Sequence, residues 1–450
     1  MKESTKQRAL FATKFAAIAS TVGSAVGLGN IWRFPYEAGT HGGGAFLICY
    51  LAFVILIGVP VLCAEYCLGR ATRSNIFGAY RAAISGRLLH KLGYLGIISS
   101  LLILSFYAVV AGWTLEYCIE SLMGKLDFSN PEEGHQQYLT LTTGWRPVIW
   151  TVIFMLCNAF ILLKGVTKGI ERVSNIFMPV LFVLLLLFCI NSLTLPGAKE
   201  GIDFLFVPDF SKISSKVLLG ALGQAFFSLS LGLGCMITYA SYFSDSTKLA
   251  GTALLTALLD SAVAILAGII IFPAVFSFGV SPQAGPTLVF EVLPNIFSQL
   301  TAGGVWSTLF FLLLFIASIT STVSVSEISV TYLCEERKLT RTKAVLISTV
   351  ISLAGGVLCA MSFGPLRDFT ICDRNIFDIF DYVTSNIFLP IGGMLCSLVV
   401  GWALDRKTLK TQFTNNGSIR FRFLPILVFF LKWICPAAIF LVFLDSIGII

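Results

Sequence analysis

Charge is scarce in this chain. Only 12% of its 450 residues are Asp, Glu, Lys or Arg, where a water-soluble globule carries about 25%. So little polar surface cannot cover a soluble fold of this length, which excludes the three or so soluble domains that length alone suggests. Histidine is scarcer still, with His41, His90 and His135 the full complement. There is no His-Glu-x-x-His, no phosphate-binding loop and no serine nucleophile elbow, so no catalytic machinery is visible and the chain does not read as an enzyme. The 12 cysteines lack any Cys-x-x-Cys pair and nearly all lie inside apolar blocks (Cys63, Cys118, Cys189, Cys235), which reads as buried thiols rather than disulfides or a metal site. Rings of charge and repeated filter loops are also missing, which argues against a channel.

What the chain has in quantity is apolar sequence. It is 56% hydrophobic, with 39 Phe and a mean hydropathy of +0.87. The apolar residues fall into about eleven blocks near the ~20-residue length that crosses a bilayer: 12–37, 44–69, 92–122, 147–164, 172–195, 216–243, 249–279, 304–334, 343–362, 376–404 and 422–447. The first block contains Arg33 and runs past any small-residue cleavage site, unlike a signal peptide. A milder apolar stretch, 281–300, reads as an external hairpin dipping back towards the bundle. The net charge of +7 does not point to nucleic acid, because the cations sit in the short connections. With the N-terminus inside, 22 Lys and Arg fall on the cytoplasmic side and 7 outside. That asymmetry sets an expected orientation in a plasma (inner) membrane, N-terminus in and, after an odd number of spans, C-terminus out.

Spans one and six are interrupted. Span one reads Gly23-Ser-Ala-Val-Gly27-Leu-Gly29-Asn30-Ile-Trp-Arg33-Phe-Pro35, and span six Gln224-Ala-Phe-Phe-Ser228-Leu-Ser230-Leu-Gly232-Leu-Gly234. They hold equivalent places in spans 1–5 and 6–10, the sequence pointer to an inverted-repeat transporter. Unwinding a helix in lipid strands backbone polar groups at several kcal/mol each, so something polar must fill the gap. Freed carbonyls suit a hard cation, and freed N–H groups suit a carboxylate. The competing reading is packing, since Gly23-x-x-x-Gly27 is also a helix-contact motif. Asn30, Arg33 and the matching pattern in span six favour the transport reading.

Gly-x-Ala-Val-Gly-Leu-Gly-Asn-x-x-Arg-Phe-Pro in span one and Gln-x-Phe-Phe-Ser-Leu-Ser-Leu-Gly in span six, followed by Ile237-Thr-Tyr-Ala-Ser-Tyr242, resemble the neurotransmitter:sodium symporter family. Within it the chain is similar to the bacterial eleven-helix hydrophobic amino-acid transporters of the LeuT type. The resemblance covers essentially the whole chain and implies one all-α transmembrane domain over 1–450. That domain is a 5+5 inverted repeat, 12–195 and 216–404, with an additional helix at 422–447. The implied activity is sodium-coupled symport of hydrophobic, branched and aromatic, L-amino acids by alternating access. Partners are then a small-molecule amino acid and membrane lipid, with no nucleic acid. Two Na⁺ sites follow by position. Site one is Ala25, Asn30, Ser228 and Asp260 with the substrate carboxylate; site two is Gly23, Val26, Ala317, Thr320 and Ser321. The Ser/Thr run in span eight could equally be ordinary interhelical hydrogen bonding. The implied substrate pocket has a polar end at Ala25, Leu28, Gly29 and Tyr107, with Phe227, Ser228 and Ser230 beside it. Its apolar end is Ile103, Leu233, Val325, Ser321 and Phe227.

The chain departs from the family pattern at two places. Leu233 replaces an aromatic pocket residue, which implies room for larger side chains. Asp260 stands where Asn is common, and Ala264 where chloride-binding members carry Ser. Together these imply that chloride is not required, with Asp260 supplying the negative charge and its protonation an option for coupling. The plainer alternative is that Asp260 pairs with a neighbour. Arg33 with Asp381 (Asp378 the alternative) resembles the family's outer gate, and Arg8 with Glu335 the inner one, although both could be static ion pairs. Gly169 and Pro179 have the spacing at which family members unwind helix five. Glu65 and Glu327 are buried carboxylates expected to bond the unwound backbone, or simply to pack.

Overall fold

A computed structural model of the chain describes residues 10–84, 91–126, 128, 131–279 and 288–449. Among these the chain is helical, with no strand beyond an isolated bridge between Ile371 and Arg374. Nine helices there are long and apolar enough to cross a membrane unbroken. They are spans two (Gly44–Thr72), three (Gly93–Leu122), four (Arg146–Leu163), five (Val166–Ser192), seven (Leu249–Ser277), eight (Gly303–Glu335), nine (Arg341–Met361), ten (Ile376–Ala403) and eleven (Leu424–Ser446). Span one is the bent pair Lys14–Ala25 and Gly29–Thr40, whose halves meet at 53°. Span six is cut into Ser215–Ser228 and Cys235–Ala240, each too short to cross alone. Span five starts earlier than its hydropathy suggests, because Lys168 and Arg172 lie on its first turns. Long cationic side chains tolerate that position by reaching back to the interface.

Helix starts follow local chemistry. The side chains of Thr13, Ser214 and Asn375 accept the N–H groups of Ala16 (3.0 Å), Val217 (3.4 Å) and Asp378 (2.9 Å), satisfying donors that have no partner in the first turn. Pro147 and Pro425 open spans four and eleven, where a missing N–H is harmless. Spans three and eight run together along most of their lengths, and the first half of span one packs on spans five, seven and eight. Gly112 lets spans three and four approach closely, since a Cβ there would lie 2.9 Å from the Thr151 nitrogen. The outward faces of spans four, five and nine carry exposed Leu156, Phe160, Leu186, Ile190 and Val350. Lipid is as apolar as these side chains, so packing and polar contacts hold the helices together. Of the segment 281–300, residues 281–287 lie outside the described residues. The rest forms the helix Leu293–Ser298, preceded by Phe290, which inserts among Trp32, Trp113, Tyr117 and Phe311.

Candidate functional site

Span one opens where side chains take its backbone donors, one from its own second half and one from span three. In a continuous helix the N–H groups of Gly27 and Leu28 would bond the carbonyls of Gly23 and Ser24. The Gly27 N–H instead bonds Asn30 Oδ1 (3.0 Å), and the Leu28 N–H bonds the Tyr107 hydroxyl oxygen (3.0 Å). Val26 turns extended, at φ −67° and ψ 120°. The Gly23 carbonyl thereby loses its helical partner, and the Ser24 carbonyl receives the Ser230 hydroxyl at 3.4 Å. Span six opens through its own backbone. Ser230, Gly232 and Gly234 have φ of +52°, +82° and +91°, in the left-handed region that glycine enters freely. Glu65 accepts the Gly232 N–H at 2.7 Å. Gln224 ties the two breaks together by donating to the Gly29 carbonyl at 3.2 Å.

Asn30, Ser228 and Asp260 meet in one buried cluster. The Asn30 amide donates to Asp260 Oδ1 (2.7 Å), the Asp260 carbonyl (3.1 Å) and Ser228 Oγ (2.9 Å), while Ser228 donates to Asp260 Oδ2 (2.6 Å). Asp260 is 0% exposed, and among the described residues no cationic side chain pairs with it. A buried carboxylate of this kind calls for a counter-charge. The Asp260 and Ser228 oxygens are of the kind a hard cation prefers, while Asn30 turns its Nδ2 to them and its Oδ1 to Gly27; no three His, Cys, Asp or Glu converge among the described residues. Tyr50 of span two, which no sequence motif marked, donates to Ser228 Oγ at 3.4 Å.

The residues named for the second cation site also adjoin. A Cβ on Gly23 would lie 3.4 Å from Thr320 Cβ and 3.1 Å from Met178 Sδ. Thr320 currently gives its hydroxyl to the Ile316 (2.9 Å) and Ala317 (3.1 Å) carbonyls within its own helix. Ser321 lies on the other side of the span-one break, its Oγ 3.3 Å from where a Gly27 Cβ would stand. Met178 brings span five against this site one residue before Pro179, and Gly169 lies in a widened turn over Val166–Glu171.

Between the breaks is a small cavity of about 50 Å³. Ten of the eleven residues named for the substrate pocket line it: Ala25, Gly29, Ile103, Tyr107, Phe227, Ser228, Ser230, Leu233, Ser321 and Val325. The exception is Leu28, which faces a second, outer cavity of about 310 Å³ together with Arg33, Glu37, Phe227 and Asp381. Gly27, Phe106 and Leu389 join the inner lining; sequence reasoning missed them because Phe106 and Leu389 are ordinary apolar residues on membrane helices. Gly29, Phe106, Tyr107 and Phe227 line both cavities.

The gates differ from expectation. Arg33 lies over the Phe227 ring at 4.2 Å and pairs with Glu37 at 3.5 Å. Asp381 accepts from Ser385 at 2.7 Å. Arg33 and Asp381 thus face one cavity without joining in an ion pair, because Glu37, one turn along the same helix, is nearer. Asp378 holds no Arg33 contact either. Glu37 also faces His41 at 3.3 Å, and that hydrogen bond raises the His41 pKa above the usual imidazole value. Arg8 lies outside the described residues, and its expected partner Glu335 accepts from the Asn75 backbone (2.7 Å) and side chain (2.9 Å). Glu327 is a further correction. It does not bond an unwound backbone but holds Arg341 at 2.8 Å and accepts the Tyr242 hydroxyl at 2.8 Å.

A family model described as the sodium:neurotransmitter symporter family matches residues 8–140 and 136–450. An uncharacterized sodium-dependent transporter of Bacillus subtilis, YhdH, is 37% identical over 441 residues, 98% of each chain. One of Haemophilus influenzae is 36% identical over 459 residues, covering 99% of this chain and 100% of its own. The crystal structure of MhsT in complex with L-phenylalanine superposes with a TM-score of 0.90 at 41% identity, over 98% of this chain and 100% of that one.

Proposed function

Since this chain belongs to the sodium:neurotransmitter symporter family, whose members are transporters rather than enzymes, we propose that this multi-pass, sodium-dependent transporter imports hydrophobic L-amino acids, branched and aromatic, by alternating access. The observation that carries the reading is the cavity between two broken helices, with the buried Asp260 carboxylate, which has no cationic partner among the described residues, beside it. Its polar end offers the Tyr107 hydroxyl, which accepts from Leu28 and so keeps its own proton for a substrate carboxylate. Its apolar end is Ile103, Leu233 and Val325. The solved relative bound to phenylalanine supports an aromatic-sized occupant.

Two sodium ions enter as co-substrates. The first takes Ala25, Asn30, Ser228 and Asp260, with the amino acid's carboxylate completing its shell. The second takes Gly23, Val26, Ala317, Thr320 and Ser321. Because the substrate is itself a ligand of the first ion, each raises the other's affinity, and the coupling is reciprocal. Inward movement of each charge gains about 2.3 kcal/mol per 100 mV. Asp260 supplies the fixed negative charge, so chloride is not needed. Arg33 and Asp381 close the outer cavity once Arg33 leaves Glu37, Arg8 and Glu335 close the inner side, and the Gly169–Pro179 stretch opens to release the second ion. The domain is built of the repeats 12–195 and 216–404, with the N-terminus in the cytoplasm and the C-terminus outside.

The test is uptake of radiolabelled amino acids into proteoliposomes under an inward sodium gradient. Phenylalanine, leucine and isoleucine should accumulate, choline in place of sodium should abolish uptake, and gluconate in place of chloride should leave it unchanged. Preference for polar or acidic amino acids, or a strict chloride requirement, would refute the respective part.

A further inference from the structure

On the lipid-facing surface, away from the transport site, spans two, seven and eleven meet around two contiguous cavities. One is an apolar groove of about 280 Å³ walled by Ile55, Val59, Ile426 and Phe430. The other, about 510 Å³, is lined by Lys248, Arg420 and Arg422. They share Ala250, Leu254, Phe421 and Phe423, so the groove runs directly into the cationic pocket. No acidic residue lines either cavity, and none of the three cations makes an ion pair among the described residues.

Their position fixes what can fill them. Lys248 immediately precedes span seven, and Arg420 and Arg422 lie just before span eleven, so the positive pocket sits at the level where the spans leave the membrane. The groove walls belong to the membrane-embedded turns below. Exposed Phe423 and Ile426 continue that apolar surface outward. An occupant must therefore be anionic at one end and apolar along the rest. A planar guanidinium matches the oxygens of a phosphate, and two guanidiniums beside an ammonium offer donors to several of them at once. A zwitterionic headgroup would bring its own cation into a pocket that has no anion to receive it.

We infer that these cavities hold one anionic phospholipid, its phosphate on Lys248, Arg420 and Arg422 and an acyl chain along the groove between spans two, seven and eleven. Clusters of basic residues at membrane-helix ends recognise anionic lipids on this electrostatic basis. Loose inorganic phosphate would satisfy the cations but leave the groove unfilled.

The test uses the full-length protein in neutral detergent with equal phosphatidylglycerol and phosphatidylcholine, bound lipid being counted by native mass spectrometry. Phosphatidylglycerol adducts should exceed phosphatidylcholine adducts on the order of 10-fold. The combined Lys248→Gln, Arg420→Gln, Arg422→Gln variant should lose that preference while keeping sodium-dependent amino-acid binding, which reports an intact fold. Exchanging each cation for the other type, Lys248→Arg with Arg420→Lys and Arg422→Lys, should retain the preference. Leu254→Trp, which fills the groove, should lower phosphatidylglycerol adducts with the cations in place. Equal binding of the two lipids by the parent protein, an undiminished preference in the triple Gln variant, or displacement of the lipid by millimolar glycerol phosphate would each overturn the proposal.

Discussion

Span one is held open by side chains, Asn30 of its own second half and Tyr107 of span three, which take the N–H groups that its own carbonyls would otherwise receive. Span six is held open from within, by three consecutive alternate residues at positive φ, with Glu65 steadying one freed donor. The difference assigns different work to the two breaks. A helix opened by side-chain partners can respond to whatever those partners bind, and Asn30 is at once the partner of Gly27 and a member of the cluster around Asp260. A helix opened by backbone conformation stays open whatever is bound. On this reading span one is the responsive element and span six the fixed frame.

Substitutions that separate the two mechanisms test it. The largest effect is expected from Asn30→Ala, which removes both the Gly27 acceptor and a proposed sodium ligand. Sodium-dependent uptake should fall by roughly 100-fold, as for loss of a metal-site group, and sodium should no longer raise the thermal unfolding midpoint of the detergent-solubilised protein. Gly232→Ala should do the reverse. It forces a side chain into φ +82° against the Gly393 backbone nitrogen. A cost of about 2 kcal/mol or more should appear as a lowered unfolding midpoint whether or not substrate is present. Tyr107→Phe leaves the Leu28 N–H without its acceptor. It should weaken substrate binding by about 10-fold, in line with 1–3 kcal/mol for a buried unsatisfied donor, and equilibrium binding of labelled substrate measures it. The smallest change is expected from Glu65→Gln, whose amide oxygen can still accept the Gly232 N–H; uptake should stay within about a factor of three. A strong loss of sodium coupling in Gly232→Ala at unchanged stability would erase the distinction between the two breaks.

Several features were readable in the residues alone because they are consequences of backbone chemistry in lipid. Apolar length set the spans to within a few residues. Paired Gly-Leu-Gly interruptions marked where helices one and six lose their hydrogen bonds, and the structure divides both there. Cavity residues were accessible only through the family resemblance, position by position. Others were not, since Leu389 and Phe106 carry no local mark of facing inward, and Tyr50 sits in a uniformly apolar run.

Partner choice among charged groups belongs to the second class as well. Nothing in the order of residues says that Arg33 reaches Glu37 rather than Asp381, or that Glu327 goes to Arg341 rather than to the breaks. Hydropathy and the need to satisfy every backbone donor act along the chain, so the sequence by itself determined a membrane bundle with two polar interruptions. Distances between side chains from different helices depend on how those helices cross and at what depth each residue lies. Only the tertiary structure decided which oxygens surround Asp260 and which cations are left facing lipid.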